Sequence, residues 1–139
     1  DGLEYWLVKF RTMPRGVEGG APAWSGQDDP RATRVGGFLR KASLDELPQL
    51  FNVLLGQMSL VGPRPLPMRD YQLLEPWHRR RYSVLPGITG LWQAEAREKP
   101  DFEVYRRLDL FYVENWSLGL DLAICFATVT SVARRFVTR

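Results

Sequence analysis

One cysteine and one histidine in 139 residues exclude several kinds of chemistry at the outset. Cys125 has no partner for an internal disulfide, so a reducing compartment is permitted. It lies in an apolar run, where a thiol is inert rather than nucleophilic. No Cys/His cluster stands at metal-binding spacing, and nothing near His78 suggests a nucleophilic triad. His78 is therefore expected to be exposed and incidental. The chain has no run of 18 apolar residues and no signal peptide. Internal repeats and low-complexity tracts are missing as well. There is no initiator methionine, and the chain opens inside what reads as a strand, so it is taken as a piece of a longer protein.

What is present describes a folded domain. Apolar residues make up 45% and charged residues 25%, ordinary values for a single compact unit of this length. The net charge of +3 favours anionic partners: phosphate-bearing small molecules, anionic lipid or nucleic acid.

The most informative stretch is residues 43–65, SLDELPQLFNVLLGQMSLVGPRP. Leu47, Leu50, Phe51 and Leu54 recur at i, i+3, i+4 and i+7, which predicts a helix with one apolar face. Ser43 and Glu46 have capping-box spacing, and Gly56 is a C-terminal stop. Pro48 has no N–H, so the first turn loses a hydrogen bond and is loosened. Asp45 and Glu46 at that tip satisfy the helix dipole. They also suit a second role: one carboxylate holding a divalent metal while the other attacks phosphorus. Arg64, fixed between Pro63 and Pro65, presents a guanidinium matched to phosphate oxygens.

Around this stretch, residues 5–13 alternate apolar and polar and read as a half-buried strand carrying Lys9. Residues 14–29, crowded with Gly, Pro and Asp, read as a mobile loop, and Asp28-Asp29 is left unassigned. A short amphipathic helix is predicted over 33–41, ending in Arg40, which either binds substrate phosphate or pairs with Asp45. Residues 70–82 read as a helix whose Arg79-Arg80-Arg81 run forms a solvated face or, beside Trp77, meets anionic lipid headgroups. Residues 85–93 read as a turn leading into a short extended segment, and 95–100 as a loop. Residues 102–116 show helical spacing with Asp109 among apolar neighbours, either paired with Arg106 or Arg107 or functional. Residues 118–132 are too short to span a bilayer and long enough for a core or interfacial helix.

Residues 43–65 resemble the signature of the bacterial sugar transferases, the monotopic phosphoglycosyl transferases that prime glycan assembly on polyprenyl phosphate. The resemblance continues through Lys9-Phe10-Arg11-Thr12-Met13, Arg34-Val35-Gly36, Phe38-Leu39-Arg40, Leu85-Pro86-Gly87-Ile88-Thr89-Gly90-Leu91-Trp92-Gln93, Leu108-Asp109-Leu110 and Tyr112-Val113-Glu114-Asn115-Trp116-Ser117, in family order. It implies a helix-dominated, membrane-associated α+β catalytic domain over residues 1–139, with a small β element from the N-terminal blocks and without the family's N-terminal membrane helix. It further implies transfer of a sugar-1-phosphate from a UDP-sugar to polyprenyl (undecaprenyl) phosphate, with release of UMP, at the cytoplasmic face of a bacterial inner membrane. In that resemblance Asp45 is the nucleophile, Glu46 holds Mg²⁺, and Arg64, Arg40 and Lys9 bind phosphate. Asp109 belongs to the active site with no settled role. The partners implied are the UDP-sugar, the polyprenyl phosphate and a lipid surface, not nucleic acid. The competing expectation is a non-catalytic basic module that docks on membrane or nucleic acid through its arginines.

Overall fold

The computed structural model describes residues 3–16, 29–72, 74–95 and 101–137. Most of the 14–29 loop and residues 96–100 lie outside that set. Helices dominate the described residues, and their β structure is one small parallel sheet, so the expected helix-rich α+β class holds. The sheet pairs β1 (Ser59–Val61) with β2 (Gly87–Thr89), Ser59 opposite Gly87 and Val61 opposite Thr89. The approach is close: a Cβ on Gly87 would lie 2.1 Å from the Gly62 nitrogen, so only glycine fits there.

The small β element therefore comes from mid-chain and not from the N-terminal blocks. Residues 5–13 join no sheet, and residues 6–11 are exposed, so the expected half-buried strand does not form there. Their backbone is instead satisfied by the buried side chain of Asn52, whose Oδ1 accepts from Val8 N at 3.2 Å and whose Nδ2 donates to Trp6 O at 2.8 Å. Alternation alone does not secure a strand; here a side-chain amide makes two of the hydrogen bonds that a partner strand would have made.

Helix α1 (Arg34–Lys41) matches the expected short helix. The Thr33 hydroxyl caps it by accepting from Gly36 N at 2.9 Å, and Arg40 and Lys41 complement the dipole at its end. Ser43 follows with φ of 56° and makes no side-chain cap bond, so the capping box does not form. Next comes a 3-10 helix, Leu44–Gln49, which contains Pro48 and runs into α2 (Leu50–Leu54). Loosening around the proline takes the form of tighter i→i+3 winding.

This stretch is turned inside out. Leu47, Leu50, Phe51 and Leu54 are exposed, Phe51 at 65% and Leu54 at 83%, while Glu46, Gln49 and Asn52 are buried. The buried three recur every third residue, so the polar side of the amphipathic pattern faces the protein.

The expected helix over 70–82 is two pieces, α3 (Met68–Tyr71) and a 3-10 helix, Pro76–Ser83, started by its proline. Three-residue winding places His78 and Arg81 on one inward face, so both are buried and the basic run is not a single solvated surface. Arg80 remains outside, paired with Glu114 at 3.1 Å. Helices α4 (Leu91–Glu95), α5 (Phe102–Glu114) and α6 (Leu118–Val137) complete the domain. Val61, Leu91, Tyr112 and Ile124 form the core where β1 meets these helices, with Cys125 half-buried against them. Leu118, Leu122, Phe126 and Val129 of α6 are exposed. Among the described residues no helix is long and apolar enough to cross a membrane.

His78 is fully buried, not exposed as its sequence context suggested. Burial, followed by the Arg81 and Arg106 charges, lowers its pKa from 6.5 to about 4. Between those values the unfolded chain binds the extra proton, so His78 makes the fold less stable as pH falls through that window and is silent above it. The Tm lost between pH 7.5 and pH 5 should be smaller in His78→Gln than in the wild type. Equal losses would mean that His78 titrates as an ordinary exposed histidine.

Candidate active site

Asp45 and Glu46 occupy the first turn of the 3-10 helix, and Arg64 reaches them from the loop that follows β1. Arg64 Nη1 donates to Glu46 Oε1 at 3.1 Å, and the guanidinium lies over the Trp92 ring at 5.8 Å. The loop is held against β2: Gly62 N donates to Thr89 O and Gly87 N to Pro63 O, each at 2.9 Å. With φ fixed at Pro63 and Pro65, these bonds leave the intervening arginine little backbone freedom. Burial disfavours the Arg64 charge, but Glu46, Tyr105 and Asp45 more than reverse this, and the guanidinium stays protonated.

The N-terminal segment delivers Lys9. Phe10 N donates to Asp45 O at 3.0 Å, which fastens this segment beside the two carboxylates. Lys9 is pushed below the ordinary lysine value, chiefly by desolvation and then by Arg64, while Glu46 and Asp45 pull it back and Arg40 adds to the depression. Lys9, Arg40, Asp45, Glu46 and Arg64 thus share one electrostatic neighbourhood, although they are scattered over 56 positions of sequence. Arg40 is steered by Thr12, whose hydroxyl accepts from its Nε at 3.0 Å, and lies 3.8 Å from Asp29 Oδ2.

Asp109 is buried in an ion pair with Arg81 at 2.7 Å. Its partner is therefore neither Arg106 nor Arg107. Arg106 is engaged by Glu75 at 3.0 Å and Glu103 at 2.8 Å and stacks on Trp77. Helical spacing turns Tyr105, Asp109 and Tyr112 inward together, and the inward face of the second 3-10 helix supplies the arginine. Burial pushes Asp109 up to about 6, against the pull of Arg81, the Tyr105 hydroxyl and Arg64. Sequence reasoning had Arg81 only within a basic run and Trp92 only within a block of family resemblance, and it missed Tyr105 and Asn52; for Asn52, the three-residue spacing from Glu46 and Gln49 was the available signal.

The two adjacent carboxylates suit a hard cation. Among the described residues no cluster of three or more Asp, Glu, His or Cys could hold a metal by itself. Mg²⁺ is commonly held by one or two carboxylates and completed by substrate phosphates and water, so a carboxylate pair without a third protein ligand is compatible with it.

The family model for bacterial sugar transferases matches residues 1–135. The chain belongs to that family. It is 49% identical, over 78% of its length, to the undecaprenyl-phosphate galactose phosphotransferase of Salmonella typhimurium, of which it covers 23%. It is 43% identical over 95% of its length to the exopolysaccharide production protein ExoY of Sinorhizobium fredii, covering 65% of that protein. With the UDP-glucose:undecaprenyl-phosphate glucose-1-phosphate transferase of Klebsiella pneumoniae it shares 43% identity over 93% of its length, covering 30% of that relative. This bacterial sugar transferase domain thus spans between about a quarter and two thirds of these relatives.

Within the transferase domain, Gly36 and Gly37 make opposite predictions. A Cβ on Gly36 would lie 2.1 Å from Thr12 O, in the segment that steers Arg40, whereas one on Gly37 meets nothing within 4 Å. Gly36→Ala should destabilise the domain by about 1–3 kcal/mol through overpacking. Gly37→Ala should stabilise it by roughly 0.5–1 kcal/mol through helix propensity. Chemical denaturation of both variants checks the contrast.

Proposed function

We propose that this domain transfers a sugar-1-phosphate from a UDP-sugar to polyprenyl phosphate, on a membrane surface at the cytoplasmic side of the bacterial inner membrane. The observation that carries this reading is the Glu46–Arg64 ion pair at 3.1 Å beside Asp45, within the field of Lys9 and Arg40. Three cations around two carboxylates are suited to a diphosphate. The names of the Salmonella and Klebsiella relatives supply the undecaprenyl-phosphate acceptor, and the Klebsiella name the sugar-nucleotide donor. The exposed leucines and phenylalanines of α2 and α6 support a lipid-facing surface.

In the first half-reaction an Asp45 oxygen attacks the β-phosphorus of the UDP-sugar. The bond from that phosphorus to the bridging oxygen breaks, and UMP leaves with the electron pair. The phosphosugar is left on the aspartate. A carboxylate is a weak nucleophile, but at neutral pH it needs no base to activate it. In the second half-reaction a polyprenyl-phosphate oxygen attacks the same phosphorus, the aspartyl oxygen departs, and Asp45 is regenerated. Arg64, Arg40 and Lys9 bind the phosphate oxygens throughout. Glu46 is the proposed holder of Mg²⁺, which when bound neutralises diphosphate charge. Asp109 supports the site from beside Arg64.

Full-length protein in membranes, offered a panel of UDP-sugars, should release UMP from at least one. Asp45→Asn should lower that release more than about 1,000-fold. Retained release in Asp45→Asn would remove the covalent route, and salt-sensitive binding without any turnover would favour a docking module. Chelation with EDTA should bring UMP release to background, and added Mg²⁺ should restore it. Turnover that persists in EDTA would remove the metal from the scheme.

A further inference from the structure

The main-chain carbonyl of Arg64 is occupied as well as its guanidinium. Arg81 Nη2 donates to Arg64 O, and the same nitrogen lies 2.8 Å from the Tyr105 hydroxyl and 2.7 Å from Asp109 Oδ2. The Tyr105 hydroxyl itself donates to Arg64 O at 3.2 Å. Two elements distant in sequence therefore converge on one backbone oxygen: the second 3-10 helix through Arg81, which Asp109 holds, and α5 through Tyr105. The preceding carbonyl, Pro63 O, is held by Gly87 N.

Stability alone is a poor explanation for this arrangement. Arg81 and Asp109 are 2% and 3% exposed, and desolvating two charges commonly offsets what their attraction returns. Packed apolar side chains would fill the same space without that cost. What the ion pair adds is direction. It holds Arg81 Nη2 at a single point, where it can grip a backbone carbonyl in the loop that presents Arg64. The ring of Tyr105 extends the same support, meeting the Trp92 ring edge-on at 5.3 Å beneath the Arg64 guanidinium.

We propose that Arg81, Tyr105 and Asp109 form a positioning unit that fixes the Arg64 carbonyl and thereby aims the Arg64 guanidinium at Glu46 and the donor phosphates. The unit acts through Arg64, not on the substrate. This inference rests on the reading of Arg64 as a phosphate ligand, and it assigns Asp109 a role that the sequence left open. The unit has a direct consequence: removing the Tyr105 hydroxyl matters only while Arg64 has a side chain to aim.

The experiment is a double-mutant cycle in the full-length protein in membranes, using whichever UDP-sugar of the panel is turned over. Tyr105→Phe keeps the ring and deletes the hydroxyl. It should lower kcat/KM for the UDP-sugar by about three- to tenfold in the wild-type background. In the Arg64→Ala background the same change should alter the residual rate by less than about twofold. An equal fold-loss in both backgrounds, or no loss in the wild type, overturns the proposal. A second readout does not depend on turnover: amide exchange of the peptide spanning residues 62–68 should be faster in Tyr105→Phe, with α6 peptides unchanged. Absence of UMP release from the wild type defeats the functional reading alone, and the exchange measurement then decides this one: faster exchange confined to 62–68 supports it, and unchanged exchange overturns it.

Discussion

The ion pair between Glu46 and Arg64 is the contact on which the arrangement depends, because it joins two pieces of backbone that are each unusually constrained. Glu46 sits on a 3-10 turn that encloses a proline, and Arg64 on a loop with proline on either side. Neither segment can shift far without losing its own geometry, so the charges are brought together by the main chain more than by flexible side chains. The contact also explains why the amphipathic stretch is inverted. Its polar residues have partners inside: Glu46 has Arg64, and Asn52 has the N-terminal segment. The leucines and Phe51 are left facing outward. For a domain proposed to work on a lipid acceptor, an exposed apolar face beside the charged site is an economical arrangement.

Electrostatics then bind the N-terminal segment into the same unit. Desolvation, then the charges of Arg64 and Arg40, depress the pKa of Lys9, but the two carboxylates hold the depression in check. An arriving diphosphate adds anionic charge to this neighbourhood and favours protonated lysine still further. The cations are thus spaced to accept negative charge without needing a deep hydrophobic cavity to strengthen them.

Part of the candidate site could be read locally in the sequence, while Lys9, Arg40 and Asp109 entered it through the family resemblance. Two adjacent acids at a predicted helix start and an arginine between prolines are features of residue type and spacing, and they survive whatever the tertiary packing does. The existence of α1, α5 and α6 followed from the spacing and run length of their apolar residues. The failures arose where a three-residue period replaced a 3.6-residue one. Periodicity correctly found the apolar stripe of Leu47, Leu50, Phe51 and Leu54 but carried no sign of which face would turn inward. The second 3-10 helix buried His78 and Arg81, which a helix reading had put in solvent. Arg81 also shows that a run of three arginines is not a unit, since neighbours along a helix point in different directions. The partner of Asp109 could not be read at all, because an ion pair between elements 28 residues apart leaves no local signature.

The same winding bears on how two neighbouring carboxylates come to have different proposed tasks. In a 3-10 helix consecutive side chains diverge by about 120°, since three residues complete a turn. Asp45 and Glu46 therefore cannot present themselves to one partner in the same way. Glu46 is buried and directed at Arg64, where a charge-assisted hydrogen bond occupies one of its oxygens. A group held in this way is suited to stay in place and carry charge. Asp45, at the start of the turn, is only half-buried. Exchanging the two tasks would require the nucleophile to break its pairing with Arg64 at the moment Arg64 is needed for phosphate. The proposed assignment, Asp45 as nucleophile and Glu46 as charge-bearing support, leaves the Glu46–Arg64 pair in place.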